Sequence, residues 1–378
     1  MKVAIVGIVR GFFQHLIYEM AADIEFSCQE NTYEVPKKYK IVISKLLKTK
    51  LVGVFGIFRV VRCKNLDETA DCYLSFNRFM HSDKPYYIFL ENPTALCNYS
   101  LTCLASPFVK KRLKALINDE KFIKFICMSK ACENTVEKVL GVEIPKHKIC
   151  QIYPYVRENL LVNKVVIQSR STQESLKLLY VVQGERFFSK GGLEVIKAYK
   201  NLRKKYDISL TVITNINKLD PAFVAELEGL GVVLWDFHFS YGDMEQIYAT
   251  HHILLQPSSD DSFGLTVLEA IKAGLAIISS DLYAFKEMVH NGENGFLVIP
   301  SYRFFDEENM PNPSVWNRRK KTIYSGKLNE ELVLELCEKI EILHRDREML
   351  QSFSLSSLNY ANTEFGKEKL FSKWKTML

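Results

Sequence analysis

Asp261 and Glu269 stand eight positions apart around a Phe263-Gly264-Leu265 turn, and Lys272-Ala273-Gly274 follow. The run before them, Ile253 to Gln256, is short and apolar and ends at Pro257-Ser258-Ser259, whereas Thr266 to Ala273 has helical spacing. The segment therefore reads strand, loop, helix. A glycine at the mouth of such a helix lets the backbone approach a ligand closely, and the free N–H groups of the first turn, at Gly264, Leu265 and Thr266, attract an anion such as phosphate. Asp261 then sits in the loop and Glu269 about one turn inside the helix. Carboxylates make poor phosphate ligands but good acceptors for sugar or ribose hydroxyls, so the pattern suggests a nucleotide sugar. The plainer reading is an ordinary loop-to-helix junction of an α/β domain.

The elements that must position these groups alternate. Leu176 to Val182, Ser209 to Ile213, Val232 to Trp235, Ile253 to Gln256, Ala276 to Ile278 and Phe296 to Ile299 read as strands, with helices from about Gly192 to Lys204 and after Tyr241-Gly242-Asp243. In the first half, Lys2 to Gly7, Tyr86 to Leu90 and Phe122 to Cys127 read as buried strands. Helices follow at about Phe12 to Ala22, after Pro93, and from Lys130 to Leu140, the last capped by Ser129 and stopped by Gly141. Strands alternating with helices imply two consecutive doubly wound, Rossmann-like units with parallel sheets. Their expected extents are residues 1–165 and 175–355, with Gln151 to Tyr155 and Gln168 to Glu174 as linker. Ser301 to Gly326 reads as a surface loop before a helix from Asn329 to His344, and Phe365 to Leu378 as an amphipathic helix.

At 378 residues, 47% apolar and 25% charged, the chain is that of a globular protein large enough for two cores. The net charge of +6 is uneven: residues 1–170 hold 26 Lys+Arg against 16 Asp+Glu, or +10, and the remainder 24 against 28, or −4. Nine cysteines without a CxxC pair suggest reduced, mostly buried thiols and a cytosolic protein. Met1 to Val9 is interrupted by Arg10 and reads as a first strand rather than a signal peptide. The longest apolar run, Leu51 to Phe58, is far short of the roughly 20 residues that span a bilayer.

From Lys37 to Lys64 there are nine Lys/Arg and no acid before Asp67. Lys37, Lys38, Lys45 and Lys48, with Lys110, Lys111 and Arg112 as a second cluster, read as a basic face attracted to an anionic membrane. A core-facing helix with a solvated basic side is the alternative. No nucleic-acid-binding motif accompanies the charge, and no Asp-x-Asp or His/Cys cluster implies a metal.

A strand ending at Gly184, Lys190-Gly191-Gly192 opening a helix, the Asp261 to Glu269 motif, Ala273 to Ala276, and Asn291 to Leu297 occur in an order that resembles the nucleotide-sugar half of retaining family-4 glycosyltransferases. The resemblance covers most of residues 176–300. It implies the GT-B fold, two Rossmann-like domains facing a cleft, with the C-terminal helix (residues 360–378) crossing back to the first. Two positions differ from the family: Asp261 stands where a glutamate is usual, and Glu185 occupies the usual arginine position, with Arg186 one residue later.

The resemblance implies a cytosolic enzyme, peripheral on the inner membrane face, that moves a sugar with retention from a UDP- or GDP-sugar to a lipid-linked or polysaccharide acceptor, with no cofactor. Lys190, Arg186 and the Gly264 to Thr266 turn, beside Gly184 and Phe263, would hold the diphosphate whose charge grows as the bond breaks. Glu269 would bind the ribose, and Asp261 the donor sugar. Glu91, at the end of a predicted strand before Asn92-Pro93, would orient the acceptor or touch the reacting sugar, or else belong to a capping turn. His15, His81, His251 and His252 receive no role. A UDP-sugar epimerase, or a catalytically silent membrane-associated scaffold, would share much of this pattern.

Overall fold

Helices must cover both faces of an all-parallel sheet, because each parallel strand needs a crossover connection. Such strands read as near-continuous apolar runs, and this chain contains two sets of them. In a computed structural model, which describes residues 1–7, 11–20, 24–28, 58, 60–63 and 66–378, each set forms one six-stranded parallel sheet. The chain divides into two compact units. One comprises Met1–Arg157, Asn309–Pro313 and Lys367–Leu378, and the other Glu158–Glu308 and Ser314–Gly366.

The first unit contains β1 (Lys2–Val6), β2 (Glu25–Cys28), β3 (Cys72–Phe76), β4 (Tyr86–Leu90), β5 (Phe122–Cys127) and β6 (Ile149–Gln151), in the order β2-β1-β3-β4-β5-β6. The second contains β7 (Leu176–Val181), β8 (Ile208–Thr214), β9 (Val233–Asp236), β10 (Ile253–Gln256), β11 (Ala276–Ser280) and β12 (Gly295–Val298), in the order β12-β11-β10-β7-β8-β9. In each, the strand order reverses once, between β1 and β3 and between β7 and β10. Ligands of open α/β sheets bind outside the carboxyl ends of the strands at such reversals. Those two places are where the chemistry is to be sought.

The strongly apolar strands and the capped helices lie where the sequence puts them. Ser129 Oγ accepts from the Cys132 N–H and Gly141 takes the left-handed end of the helix Lys130–Leu140. Ser240 and Asp243 form a reciprocal capping box on the helix Tyr241–Thr250. Strands β2, β3 and β6 escape the sequence reading. β6 is three residues long, and β3 is fully buried although it carries Ser75, whose hydroxyl bonds to the Arg78 carbonyl at 2.7 Å.

Two expectations need correction. The stretch read as linker is partly structured: Gln151 belongs to β6, and Gln168 to Ser171 form the end of the helix Lys164–Ser171. Arg170 on that helix is 3% exposed and donates to the carbonyls of Tyr248, Ala249, Ala273 and Gly274. These carbonyls lie at the ends of two helices, where a cation also meets the favourable end of the dipole. The supposed surface loop at 301–326 is not bare loop either. It contains the helix Pro313–Trp316, the Phe304 ring stacks on Trp316 at 3.7 Å, and the Arg319 guanidinium lies 4.8 Å from the Trp316 ring. Both ends of this segment are pinned by one buried carboxylate, Glu194, which accepts from Ser301 Oγ at 2.9 Å and from the Asn329 N–H at 3.1 Å.

The C-terminal helix Lys367–Met377 packs within the first unit. Its Trp374 ring meets Phe26 edge-on at 5.5 Å and lies 5.9 Å from Phe89, while Phe371 lies 5.0 Å from Tyr155. Lys37, Lys38, Lys45 and Lys48 fall outside the described residues. Of the second basic cluster, on the helix Pro107–Ile117, Lys111 is exposed, Lys110 lies against Gly141, and Arg112 turns to the Phe58 carbonyl at 3.2 Å. Among the described residues, no helix is long and apolar enough to cross a membrane. With Trp374 buried to 1% exposure, Trp374→Ala is expected to destabilise the first unit by about 3–5 kcal/mol, read as an earlier urea transition.

Candidate functional site

The reversal between β7 and β10 brings together four charged residues. After β7 the chain makes a tight turn, Gly184–Arg186, then reaches Ser189, Lys190 and the helix Gly192–Leu202. After β10 it runs through Pro257 to Asp261. Lys190 is 5% exposed, and its Nζ donates to the Asp260 carbonyl at 3.0 Å and to Asp261 Oδ2. Arg186 donates to the same Asp260 carbonyl at 2.7 Å and pairs with Asp260 Oδ2 at 3.0 Å. Burial by itself would raise the Asp261 carboxyl, but the Lys190 ammonium and Arg186 guanidinium outweigh it and hold it below the usual carboxylate range. Burial also opposes the charge on Arg186, and Asp260 and Asp261 more than restore it.

Backbone geometry holds the two loops in contact. Gly191 has φ +77°, and a Cβ there would fall 2.5 Å from the Pro257 carbonyl oxygen, so the close approach requires glycine. Ser259 receives a bond at three points. Its N–H donates to the Ser189 carbonyl at 2.9 Å, its Oγ accepts from the Tyr302 N–H at 3.1 Å, and its carbonyl accepts from the Phe304 N–H at 3.2 Å. The acidic loop is thereby tied to the lysine loop and to the aromatic 301–326 segment.

Beyond Asp261, Phe263 is buried and Gly264 caps the helix Leu265–Lys272 at φ +90°, where a Cβ would collide with the Phe285 ring. The N–H groups of Leu265 and Thr266 bond to no described residue, which leaves them available to an anion. Glu269 lies one turn further on and accepts from the Tyr248 hydroxyl at 2.7 Å. Burial pushes its carboxyl up to about 7, and that bond offsets only part of the shift.

Arg186, Lys190, Asp261 and the Gly264 to Thr266 turn are therefore neighbours or successive parts of one loop system. Gly184 supports it from behind, its N–H bonding Asn215 Oδ1 at 3.2 Å. Glu185 points elsewhere, to Lys218 at 3.5 Å, and Arg186 is the cation of this turn that meets Asp260. Glu91 belongs to the first unit, at the end of β4, in a separate hydrogen-bond network. His251 and His252 are buried. His251 bonds the Ile247 carbonyl and Thr211, and His252 bonds the Arg170 carbonyl and the Lys177 N–H. Sequence reasoning missed Asp260, Tyr248, Ser259 and Glu194. Only Asp260, next to Asp261, carried a local signal; the others act across long separations.

Because the folded Glu269 keeps its proton to about pH 7 whereas the unfolded chain releases it near the ordinary 4.5, its contribution to stability is full at low pH and is lost as pH rises through 7. Glu269→Gln should match the wild type at pH 4 and melt at a higher temperature than it at pH 8. Thermal unfolding at the two pH values measures this, and equal melting at pH 8 would mean the carboxylate is solvated.

Residues 167–303 match the family model described as glycosyl transferases group 1. A 69-residue stretch is 33% identical to the GtfA subunit of the UDP-N-acetylglucosamine–peptide N-acetylglucosaminyltransferase of Streptococcus gordonii, covering 18% of this chain and 14% of that protein. A 102-residue stretch is 31% identical to sucrose synthase of Melioribacter roseus, covering 23% and 13%. The chain thus aligns with only a small part of these curated relatives. Among solved structures, Anabaena HepE in complex with UDP superposes with a TM-score of 0.60 at 14% identity, covering 100% of this chain and 99% of that one. WaaG, a glycosyltransferase of lipopolysaccharide biosynthesis, superposes at 0.58 and 16% identity, covering 99% and 98%. The stretch from residue 167 to 303, which carries the Lys190 and Asp261 loops, is thus similar to group 1 glycosyl transferases, and the chain has the fold of the GT-B glycosyltransferases.

Proposed function

We propose that the protein is a retaining, family-4-like glycosyltransferase that moves a sugar from a nucleotide donor, with UDP favoured over GDP, to a hydroxyl of a glycan or glycolipid. The observation that carries this is the joining of Lys190 and Arg186 to the Asp260-Asp261 loop, at the strand-order reversal and directly before a helix whose first N–H groups are unbonded. The choice of UDP is supported by the Anabaena structure, which holds UDP, and by the streptococcal relatives, which are named for UDP-N-acetylglucosamine.

In this reading the acceptor oxygen bonds to the anomeric carbon as the bond from that carbon to the phosphate oxygen breaks. The electron pair leaves with the diphosphate, and the acceptor's proton passes to a departing phosphate oxygen. Lys190, Arg186 and the N–H groups of Leu265 and Thr266 take up the negative charge that develops there. Glu269 accepts from the ribose hydroxyls, and Asp261 from hydroxyls of the donor sugar. To bind a diphosphate, Lys190 exchanges part of its bonding with Asp261 for phosphate oxygen, which leaves the Asp261 carboxylate turned to the sugar. The acceptor is a lipid-linked or polysaccharide chain, met at the inner face of a membrane to which Lys37, Lys38, Lys45, Lys48, Lys110, Lys111 and Arg112 attract the protein.

Nucleotide release from UDP-, GDP- and ADP-sugars, with and without membrane lipid, tests the reading. UDP release is expected, with transfer product of unchanged anomeric configuration. A product that is an epimer of the donor sugar, or no turnover and no UDP-induced rise in melting temperature, would reject it. Lys190→Ala should lower kcat/KM about 100–1000-fold. UDP affinity should rise with pH through about 7 as Glu269 ionises, and Glu269→Gln should flatten that dependence.

A further inference from the structure

We propose that Tyr99 is a positioning residue that fixes the Glu91 carboxylate of the first unit so that its second oxygen accepts a hydroxyl of the glycan receiving the sugar; this rests on the transferase reading above. Five non-glycine residues among those described have positive φ, and two of them, Asn77 and Tyr99, hydrogen-bond Glu91. Asn77, at the end of β3, has φ +58° and its Oδ1 accepts the Glu91 N–H at 3.0 Å. Asn98 and Tyr99 follow one another, both at φ +57°, and the Tyr99 hydroxyl donates to Glu91 Oε1 at 2.5 Å. Asparagine tolerates the left-handed region, whereas tyrosine is a genuine outlier there.

The surrounding bonds hold that backbone in place. The Tyr99 N–H donates to the Thr94 carbonyl at 2.8 Å and the Asn98 N–H to the Ala95 carbonyl at 3.2 Å. Arg78 clamps the Asn77 carbonyl at 3.0 Å and also reaches the Ala95 carbonyl. Strain held this firmly around one side chain is characteristic of sites that bind or react.

The chemistry of the carboxylate narrows the ligand. Its Oε1 accepts from Tyr99 and, at 3.5 Å, from the Asn92 amide. Its Oε2 has no partner among the described residues, and no lysine or arginine among them pairs with it. A half-buried carboxylate that is oriented by neutral donors, and not neutralised by a cation, is suited to a neutral O–H donor rather than to a phosphate. Asn98, next to Tyr99 along the chain and 7% exposed, has its buried Nδ2 without a partner among the described residues, a second polar group left for a hydroxyl-bearing ligand. Glu91 also stands at the carboxyl end of its strand, beside the strand at the order reversal of its sheet. Sugar hydroxyls satisfy all of these conditions.

The test is a double-mutant cycle of Tyr99→Phe and Glu91→Gln on the full chain. UDP release from UDP-N-acetylglucosamine and UDP-glucose is followed with octyl glucoside and octyl N-acetylglucosaminide as acceptor probes. Tyr99→Phe should lower the acceptor kcat/KM by about 10–100-fold, the loss of one bond to a charged group, and leave the donor KM unchanged. Glu91→Gln should cost at least as much, and the double variant no more than Glu91→Gln alone, because Tyr99 acts only through the carboxylate. Additive losses, an equal rise in donor KM, or unchanged kinetics in an active protein overturn this proposal and leave the transferase reading standing. Absence of UDP release by the wild type overturns that reading, and this one with it.

Discussion

A buried ammonium is tolerated only where oxygen atoms surround it, and Lys190 imposes that demand on the second unit. Its acceptors come from Asp260 and Asp261, about 70 positions further along the chain, so the loop after β7 and the loop after β10 must meet. The parallel sheet permits the meeting because β7 and β10 are hydrogen-bonded neighbours at the reversal of strand order. Gly191 permits the close approach, and Ser189 and Ser259 fasten the two loops at the backbone. By itself such a buried pair adds little net stability, since desolvation consumes most of the attraction. What it does is fix the two loops and their charges in one place.

The same unit is braced from behind by groups that touch no ligand in the argument above. Arg170 gathers the end carbonyls of the helix Tyr241–Thr250 and of the chain just past Leu265–Lys272, and those two helices carry Tyr248 and Glu269. One guanidinium therefore sets the spacing at which the tyrosine hydroxyl meets the carboxylate. Glu194 does comparable work for the 301–326 segment, whose Tyr302 and Phe304 N–H groups in turn bond Ser259. The family match stops at residue 303, where this aromatic segment is beginning.

The first unit solves a related problem differently. Among the described residues its polar centre contains no buried cation, and Glu91 is held by neutral donors and by backbone in the left-handed region. In the same unit Phe12, Phe13, Phe76 and Phe89 pack ring against ring, and Trp374 from the C-terminal helix closes on Phe89. Close-packed rings of this kind leave little room for the sheet and helix that carry them to relax.

The amino-acid sequence by itself determined what depends on neighbours along the chain. Apolar runs specified β4, β5, β7, β10 and β11, capping residues specified helix ends at Ser129 and Gly141, and the Phe263-Gly264-Leu265 turn placed a glycine at a helix mouth. Lys190 and Asp261 were legible as separate motifs. Short or mixed strands such as β6 and β3 were not, because their burial comes from flanking strands rather than from their own pattern. Tertiary structure alone decided that Lys190 binds Asp261, that Tyr248 rather than solvent meets Glu269, that Arg170 serves two helices, and that Tyr99 reaches Glu91. Each is a contact of a side chain with a partner or a backbone state that no local periodicity encodes. Desolvation gives these contacts their strength, and only the folded chain supplies it.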